Sequence, residues 1–150
     1  MSADAPAKIQ VHGTCVALEG VGILLRGPAG AGKSDLALRL IEGGGVLVAD
    51  DLCQIARQGE HLLIDLPDQV DPSFRGRVAI RGLGIARLDY FGPAPLGLIA
   101  ELRPGSAVQG LETPASIDFL GLARPLIVLD PFQVSAVARL RLMATRRLLA

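Results

Sequence analysis

The stretch RGPAGAGKSDLALRLIEGGG, residues 26–45, decides most of what can be predicted about this chain. The apolar run VGILLR at 21–26 leads into it and indicates a buried strand. Apolar residues then recur at helical spacing from Lys33 to Glu42, and the glycines at 43–45 end that pattern. The sequence therefore predicts a strand, a tight glycine loop and a helix in direct succession.

The glycine loop satisfies the pattern G-x-x-x-x-G-K-[ST] through Gly27, Gly32, Lys33 and Ser34. Glycines let backbone N–H groups turn inward, and the N-terminus of the next helix adds positive potential, so such a loop binds phosphate groups. Lys33 is expected to reach the outer phosphates and the Ser34 hydroxyl to ligate Mg²⁺. The alternative is a glycine turn that only caps a helix, but with 2 lysines in the chain a chance match is rare. The predicted nucleotide-binding residues are Gly27, Pro28, Ala29, Gly30, Ala31, Gly32, Lys33, Ser34 and Asp35.

An acidic pair, Asp50 and Asp51, follows the next apolar run, VLVAD at 46–50. The carboxyl end of a neighbouring strand lies on the side of the sheet where a phosphate loop opens, so the pair is expected beside that loop. The alternative is two solvated turn residues, because aspartate is common in turns. Near a nucleotide, one carboxylate can hold Mg²⁺ and the other can accept a proton from an attacking hydroxyl.

The remaining pattern favours a mixed α/β fold. Two apolar segments around Gln58-Gly59-Glu60 indicate an antiparallel hairpin, and VAIRGLGIARLDY at 78–90 indicates two short strands around a glycine turn. Strand candidates outnumber helices. Asp130-Pro131 is typical of an N-cap followed by a first-turn proline, and predicts a helix through about Leu149 whose apolar face carries Val134, Val137, Leu140 and Ala144. We therefore predict a mixed β-sheet flanked by helices in a single domain over residues 9–150, after a flexible tail at 1–8.

Composition excludes several function classes. The formal net charge is zero, which argues against nucleic acid as a partner because neutralising many phosphates needs a basic excess. No apolar run is long enough to span a bilayer, and the first ten residues lack the apolar stretch of a signal peptide. Cys15 and Cys53 lack a CxxC spacing and are predicted to be buried free thiols. These features together predict a cytoplasmic protein without membrane contact.

Four separate stretches resemble the catalytic domain of HPr kinase/phosphorylase. They are VHGT at 11–14, GVGILLRGPAGAGKSDLALRLIEGG at 20–44, LVADD at 47–51 and IRGLGI at 80–85. The resemblance covers residues 9 to about 92. It implies a P-loop α/β fold of the HPr kinase and phosphoenolpyruvate carboxykinase type, ATP and Mg²⁺ as cofactors, and a serine of the phosphocarrier HPr as substrate. It also implies assembly into a hexamer.

The same resemblance implies roles for individual residues. Asp51 would accept the serine proton, Lys33 would steady the phosphates, and Mg²⁺ would depend on Ser34, on Asp50 or Asp51, and on water. His12 would lie beside the site, although a histidine at a strand end is also ordinary. Arg81 would stabilise phosphoryl charge or hold a neighbouring subunit's loop, and its alternative is a solvated arginine in a glycine turn.

The chain departs from the family pattern in three places. Ala79 stands where the family has a metal-binding glutamate, and LDPFQVSAVAR at 129–139 stands in place of a Pro-Gly-Arg-Asn loop tied to phosphate removal. The family's N-terminal domain has no counterpart before Gly27, so we expect a short form like those of alphaproteobacteria. These departures favour kinase over phosphorylase activity. They also leave two alternatives open: a small-molecule kinase, and a nucleotide-binding regulatory protein that has lost catalysis.

Overall fold

The computed structural model describes residues 7–105 and 115–146. This part of the chain has two α-helices, α1 Lys33–Glu42 and α2 Ala136–Ala144, and a 3-10 turn at Pro72–Phe74. Its eleven strands are β1 Lys8–His12, β2 Thr14–Leu18, β3 Val21–Arg26, β4 Val46–Ala49, β5 Leu52–Gln58, β6 His61–Asp65, β7 Arg77–Ile80, β8 Gly84–Arg87, β9 Ala94–Leu102, β10 Ala115–Phe119 and β11 Leu122–Leu129. Within these residues, no helix is long and apolar enough to cross a membrane.

Nine of these strands form one mixed sheet that bends at β9. The start of β9, Ala94 and Pro95, pairs with β6, which continues antiparallel through β5 to β1. The rest of β9 pairs in parallel with β3 on one side and β11 on the other. Strand β2 then joins β3 to β4 with antiparallel pairing on both sides. This arrangement confirms the predicted mixed sheet, and it gives the sheet a curled shape with one strand shared between two layers.

Alternation along the central strands sends apolar side chains into two cores. In β2, Cys15 and Ala17 point into a core between the two sheet layers, whereas Val16 and Leu18 point into a core beneath the helices. Both α-helices pack in this second core through Leu36, Leu40 and Leu140. The described helices therefore cover one face of the sheet, and the curl of the sheet itself covers the other.

Strands β7 and β8 form a separate antiparallel hairpin, here called the arm (residues 77–87). The tip of the arm is a turn at 81–83 that contains Gly82 with φ 84°, where glycine is the residue that fits without steric cost. Beyond the arm, the backbone of Phe91 donates to Leu47 at the outer edge of β4. The two strands and the glycine turn confirm the prediction for this stretch, and the structure places the arm beside the carboxyl end of β4.

The predicted final helix begins too early, but most of its predicted apolar face is confirmed: Leu140 and Ala144 are buried and Val137 packs against the core. Helix α2 starts at Ala136, with Ser135 as its N-cap, and residues 147–150 lie outside the described part. Asp130 does accept a hydrogen bond from the backbone of Phe132, at 2.9 Å, but this closes a turn instead of starting a helix. Val134 is fully exposed. The late start of the helix has a long-range cause, because the Pro131 carbonyl accepts a hydrogen bond from the Arg39 guanidinium of α1.

At the N-terminus, the structure describes the chain from Ala7, and the rest of the predicted tail lies outside the described residues. Lys8, which the sequence placed in that tail, is already the first residue of β1 and pairs in register with Ala56. Its ammonium donates to Asp68 at 2.7 Å. The sheet therefore begins one residue earlier than expected.

Candidate functional site

Several strands end at one edge of the sheet. Parallel strands β3, β9 and β11 finish there at Arg26, Leu102 and Leu129. Strand β4 runs in the same direction as β3, since both are antiparallel to the intervening β2. The glycine loop, the acidic pair and the turn after β11 therefore leave the sheet on the same side, which is where ligands bind in open α/β sheets.

The glycine loop from Gly27 to Lys33 is tightly wound. A Cβ atom at Gly27 would lie 2.9 Å from the Cβ of Ala31, so no other residue fits without displacing the loop. Gly32 adopts φ 95° and ψ 18°, a left-handed conformation, immediately before the first residue of α1. The Ala31 amide donates to the Pro28 carbonyl at 3.0 Å. The crown of the loop at residues 28–30 is exposed, as a phosphate-binding loop must be.

Lys33 reaches back over this loop. Its Nζ donates to the carbonyl oxygens of Gly27, at 2.5 Å, and Pro28, at 3.2 Å. The ammonium is therefore held against the loop by neutral acceptors, which an anionic phosphate can replace with a stronger, charge-assisted bond. Ser34 occupies the second position of α1 and is half-buried, and Asp35 in the first turn pairs with Arg39 at 3.1 Å.

Asp51 is exposed and has an unusual backbone conformation. Its φ is +69°, a region that aspartate and asparagine enter more readily than other residues with side chains. Its carbonyl accepts from the Gly13 amide at 3.0 Å. Gly13 in turn lies against β3, since a Cβ there would stand 2.7 Å from the Leu25 carbonyl. One strand, β2, separates the end of β4 from the start of the loop, a backbone separation of about 10 Å.

Asp50 is engaged by two parts of the chain far from it in sequence. Its Oδ1 accepts from the Thr14 hydroxyl at 2.8 Å, and its Oδ2 accepts from the Ala79 amide at 3.1 Å. Thr14 is 1% exposed. Asp50 therefore ties the arm to the sheet edge and orients the backbone that carries Asp51. This role of Asp50 was not predicted from the sequence, where the only hint was Thr14 two residues after His12.

The Thr14 hydroxyl is expected to contribute measurably to stability. Thr14→Val keeps the shape but leaves the Asp50 carboxylate without this donor, and we expect a loss of about 1.5–3 kcal/mol in the free energy of unfolding. Thr14→Ser, which keeps the hydroxyl, should lose clearly less. Urea denaturation of both variants measures the difference. Equal losses would show that the methyl group matters and the hydrogen bond does not.

The other predicted residues lie around this edge. His12, the last residue of β1, is exposed and pairs in register with Leu52, next to Asp51. Arg81 is exposed at the tip of the arm, two residues beyond Ala79. The structure therefore brings His12 and the acidic pair together, and places Arg81 on a projection beside them.

The oxygen donors at this edge are of the kind that hold a metal together with phosphate groups. Within the described residues, no three His, Cys, Asp or Glu side chains come together as a metal site. Mg²⁺ commonly takes one or two protein oxygens and completes its shell with phosphates and water. The Ser34 hydroxyl and a carboxylate of the acidic pair are oxygen ligands of that kind. Each Asp50 oxygen accepts one hydrogen bond and retains a further lone pair.

A cavity of about 260 Å³ opens between the acidic pair and the arm. Its lining includes Asp50, Asp51, Arg75, Ala79 and Ile85. Arg75 is fixed there by two hydrogen bonds to the Asp65 carboxylate, at 2.8 and 3.1 Å. The cavity gives a second molecule access to Asp51 from the side of the arm.

The two cysteines lie buried behind this edge, as predicted, and both are free. The Cys53 thiol donates to the Gly13 carbonyl at 3.4 Å. Burial, followed by the nearby Asp50 charge, raises the pKa of Cys53 from 9.0 to about 12. Burial also raises the pKa of Cys15 well above its ordinary value. Both thiols therefore stay protonated in the folded chain at physiological pH.

These pKa shifts predict a loss of stability at alkaline pH. Above pH 9 the unfolded chain releases thiol protons that the folded chain retains, so the free energy of unfolding falls as pH rises from about 9 towards 12. Each thiol contributes a slope of up to about 1.4 kcal/mol per pH unit. Urea titrations between pH 8 and 11 should show a shallower fall for Cys53→Ala than for the wild type. An unchanged slope would mean that Cys53 ionises equally in both states.

The sequence of this chain is similar to those of known proteins. The sequence profile of the HPr Serine kinase C-terminal domain matches residues 4–95, more than half of the chain. A protein of Chlorobium limicola named HPr kinase/phosphorylase is 47% identical over 144 residues, covering 86% of this chain and 42% of its own length. One of that name from Chloroherpeton thalassium is 39% identical over 130 residues, covering 79% of this chain and 37% of its own. The chain thus spans about two fifths of the length of these relatives.

A solved structure shares the fold. The HPr(Ser) kinase/phosphatase of Coxiella burnetii superposes with a TM-score of 0.76 at 21% identity, over 93% of this chain and 95% of that one. The matched region of the sequence profile contains the glycine loop, the acidic pair and the arm. The chain therefore belongs to the HPr Serine kinase C-terminal domain family.

Proposed function

We propose that this chain is an ATP- and Mg²⁺-dependent serine kinase acting in the cytoplasm on an HPr-type phosphocarrier protein. The observation that carries the proposal is Asp51, an exposed carboxylate at the end of β4, one strand away from a glycine loop that holds Lys33. Relatives named HPr kinase/phosphorylase support the choice of substrate. The two buried free thiols are compatible with a reducing compartment.

The proposed reaction uses positioning and charge more than covalent chemistry. The amides of the loop and Lys33 bind the phosphates of ATP. The substrate serine enters from the cavity side, its Oγ attacks the γ-phosphorus, and its proton passes to the Asp51 carboxylate. The bond from the γ-phosphorus to the bridging oxygen breaks, and ADP leaves. Bound Mg²⁺, held by Ser34 and Asp50, would neutralise charge on the phosphates.

Two further residues have supporting roles in this proposal. Arg81, at the exposed tip of the arm, supplies a positive charge for the transferred phosphoryl group, and His12 borders the same opening beside Asp51. In the reverse direction, an oxygen of inorganic phosphate would attack the phosphorus of phosphoserine and form pyrophosphate. The bond from phosphorus to the serine Oγ would break, and the serine oxygen would take a proton from Asp51. Ala79 and the altered 129–139 segment make the forward direction the better supported of the two.

We also propose that the chain forms a homo-oligomer, a hexamer by family resemblance. Large apolar side chains on the arm support this, since Leu83 is 83% and Ile85 is 74% exposed. Large apolar side chains exposed together on a projecting hairpin are typical of contact sites between proteins. Light scattering coupled to size-exclusion chromatography would measure the assembly, and a monomer at micromolar concentration would contradict it.

One experiment tests the proposed function against its alternatives. The chain is incubated with γ-labelled ATP, Mg²⁺ and HPr from the same organism, and phosphorylated residues are identified by mass spectrometry. Label on an HPr serine supports the proposal. Transfer to a metabolite instead indicates a small-molecule kinase, and nucleotide binding without transfer indicates a regulatory protein. Adding inorganic phosphate to the phosphorylated product and measuring pyrophosphate tests the reverse reaction.

A further inference from the structure

The turn after β11 packs directly on the glycine loop. A Cβ atom at Gly32 would lie 3.1 Å from Cζ of Phe132 and 3.3 Å from Cγ of Pro131. Gly32 is the last residue of the glycine loop and lies immediately before α1. The Phe132 ring therefore borders the predicted phosphate-binding site, although 100 positions separate the two residues in the sequence.

This turn is fixed relative to the loop by polar contacts. The Phe132 amide donates to Asp130 Oδ1 at 2.9 Å, which closes the turn. The Pro131 carbonyl accepts from the Arg39 guanidinium, and Arg39 also pairs with Asp35 in the first turn of α1, at 3.1 Å. Because Gly32, Asp35 and Arg39 follow one side of α1, the turn lies along that side. The backbone of Phe132 is thereby positioned before any ligand binds.

The ring itself is left open to solvent. Phe132 is 58% exposed, and it is one of only 4 phenylalanines in a chain with 1 tyrosine and no tryptophan. Its edge meets Gly32, so a face remains available. Stacking of a nucleobase on such a face changes affinity by between about fivefold and a hundredfold, and it tolerates different bases because each has a π-face.

We infer that Phe132 is a stacking platform for the base of the bound nucleotide. This inference rests on the proposed function and specifies how that site takes its nucleotide. Lys33 reaches the outer phosphates from within the loop, so the base end of the nucleotide lies beyond the loop. Phe132 lies at the border of the loop, on the side of α1 that carries Asp35. A ring that stacks on the base forms no hydrogen bonds with the edges of the base, which are where adenine and guanine differ. ATP and GTP should therefore bind with similar affinity.

The test distinguishes the contribution of the base to binding affinity from that of the phosphates. It compares the affinities of ATP, GTP and inorganic tripolyphosphate, each with Mg²⁺. For Phe132→Ala, isothermal titration calorimetry should show about tenfold weaker binding of ATP and GTP, and unchanged binding of tripolyphosphate. Val134→Ala is the matched control, since Val134 is fully exposed two residues away and should leave all three affinities unchanged.

A second variant gives an optical readout. Phe132→Trp introduces the only tryptophan of the chain, and its fluorescence should be quenched by ATP but not by tripolyphosphate. Equal losses of ATP and tripolyphosphate affinity in Phe132→Ala, or no loss of either, would overturn the platform. So would quenching by both ligands alike. If the wild type binds neither ATP nor tripolyphosphate, the proposed function itself fails, which is a different outcome.

Discussion

Asp51→Asn is expected to lower the rate of serine phosphorylation about a thousandfold, because the amide cannot accept the proton of the attacking hydroxyl. Asparagine has the same size as aspartate and enters the positive-φ region at least as readily, so the φ of +69° should be kept. The backbone bond from Gly13 to the carbonyl of residue 51 does not depend on the side chain. Fold and ATP binding should therefore be preserved.

The measurement is the initial rate of label transfer to HPr at saturating ATP, together with the ATP dissociation constant. Asp51→Ala serves as the comparison, since alanine removes the base and also adds about 1–2 kcal/mol of strain at positive φ. Both variants should transfer phosphate about a thousandfold more slowly than the wild type, but only the alanine variant should be less stable to urea. A wild-type rate in Asp51→Asn would assign the proton to another acceptor.

Lys33→Met is the variant with the second largest expected effect. Methionine matches the length of the lysine side chain but removes the charge, and loss of one preorganised donor to the phosphates typically costs a hundredfold to a thousandfold in rate. We expect a loss of about a hundredfold or more in transfer, with weaker ATP binding. Lys33→Arg should not restore activity, because a planar guanidinium cannot replace a compact ammonium inside a tight loop.

The chain offers an unusual control for this variant, since it contains only one other lysine, Lys8. Lys8 forms an exposed ion pair with Asp68, which holds the pKa of that carboxyl below its ordinary value, on the opposite end of β1 from His12. Lys8→Met changes the net charge equally and should leave transfer and ATP affinity unaltered. Equal losses in both variants would attribute the effect to net charge and not to the loop.

Local features of this fold were predictable because their causes are local. The loop and helix α1 were predicted with the bounds that the structure has, since glycine conformations and a helical apolar period act over neighbouring residues. The hairpin of β5 and β6, and the arm with its glycine turn, were predictable for the same reason. The placement of the acidic pair beside the loop followed from strand direction alone.

Features that depend on distant contacts were not predictable from spacing. Asp130-Pro131 reads as a helix start, yet Arg39 holds the Pro131 carbonyl and delays the helix to Ala136. From the sequence, Asp50 has the pattern of a free carboxylate. In the structure it accepts hydrogen bonds from the Thr14 hydroxyl and the Ala79 amide, which are 36 and 29 residues away in the chain. A local sequence pattern indicates which side chains favour burial or a turn, but it does not indicate which distant residues they contact in the folded chain.

Residues 21–51 alone predict a strand, a phosphate-binding type of loop, a helix and a strand with an acidic end, because those features depend only on near neighbours. The folded chain decides the rest. The bend at β9 brings β5 and β6 over the core between the two sheet layers. The hydrogen bonds of Asp50 attach the arm to the sheet edge, and the turn after β11 brings Phe132 against Gly32. These are packing choices among segments far apart in the chain, and their free energies depend on shape and hydrogen-bond partners that no single stretch contains.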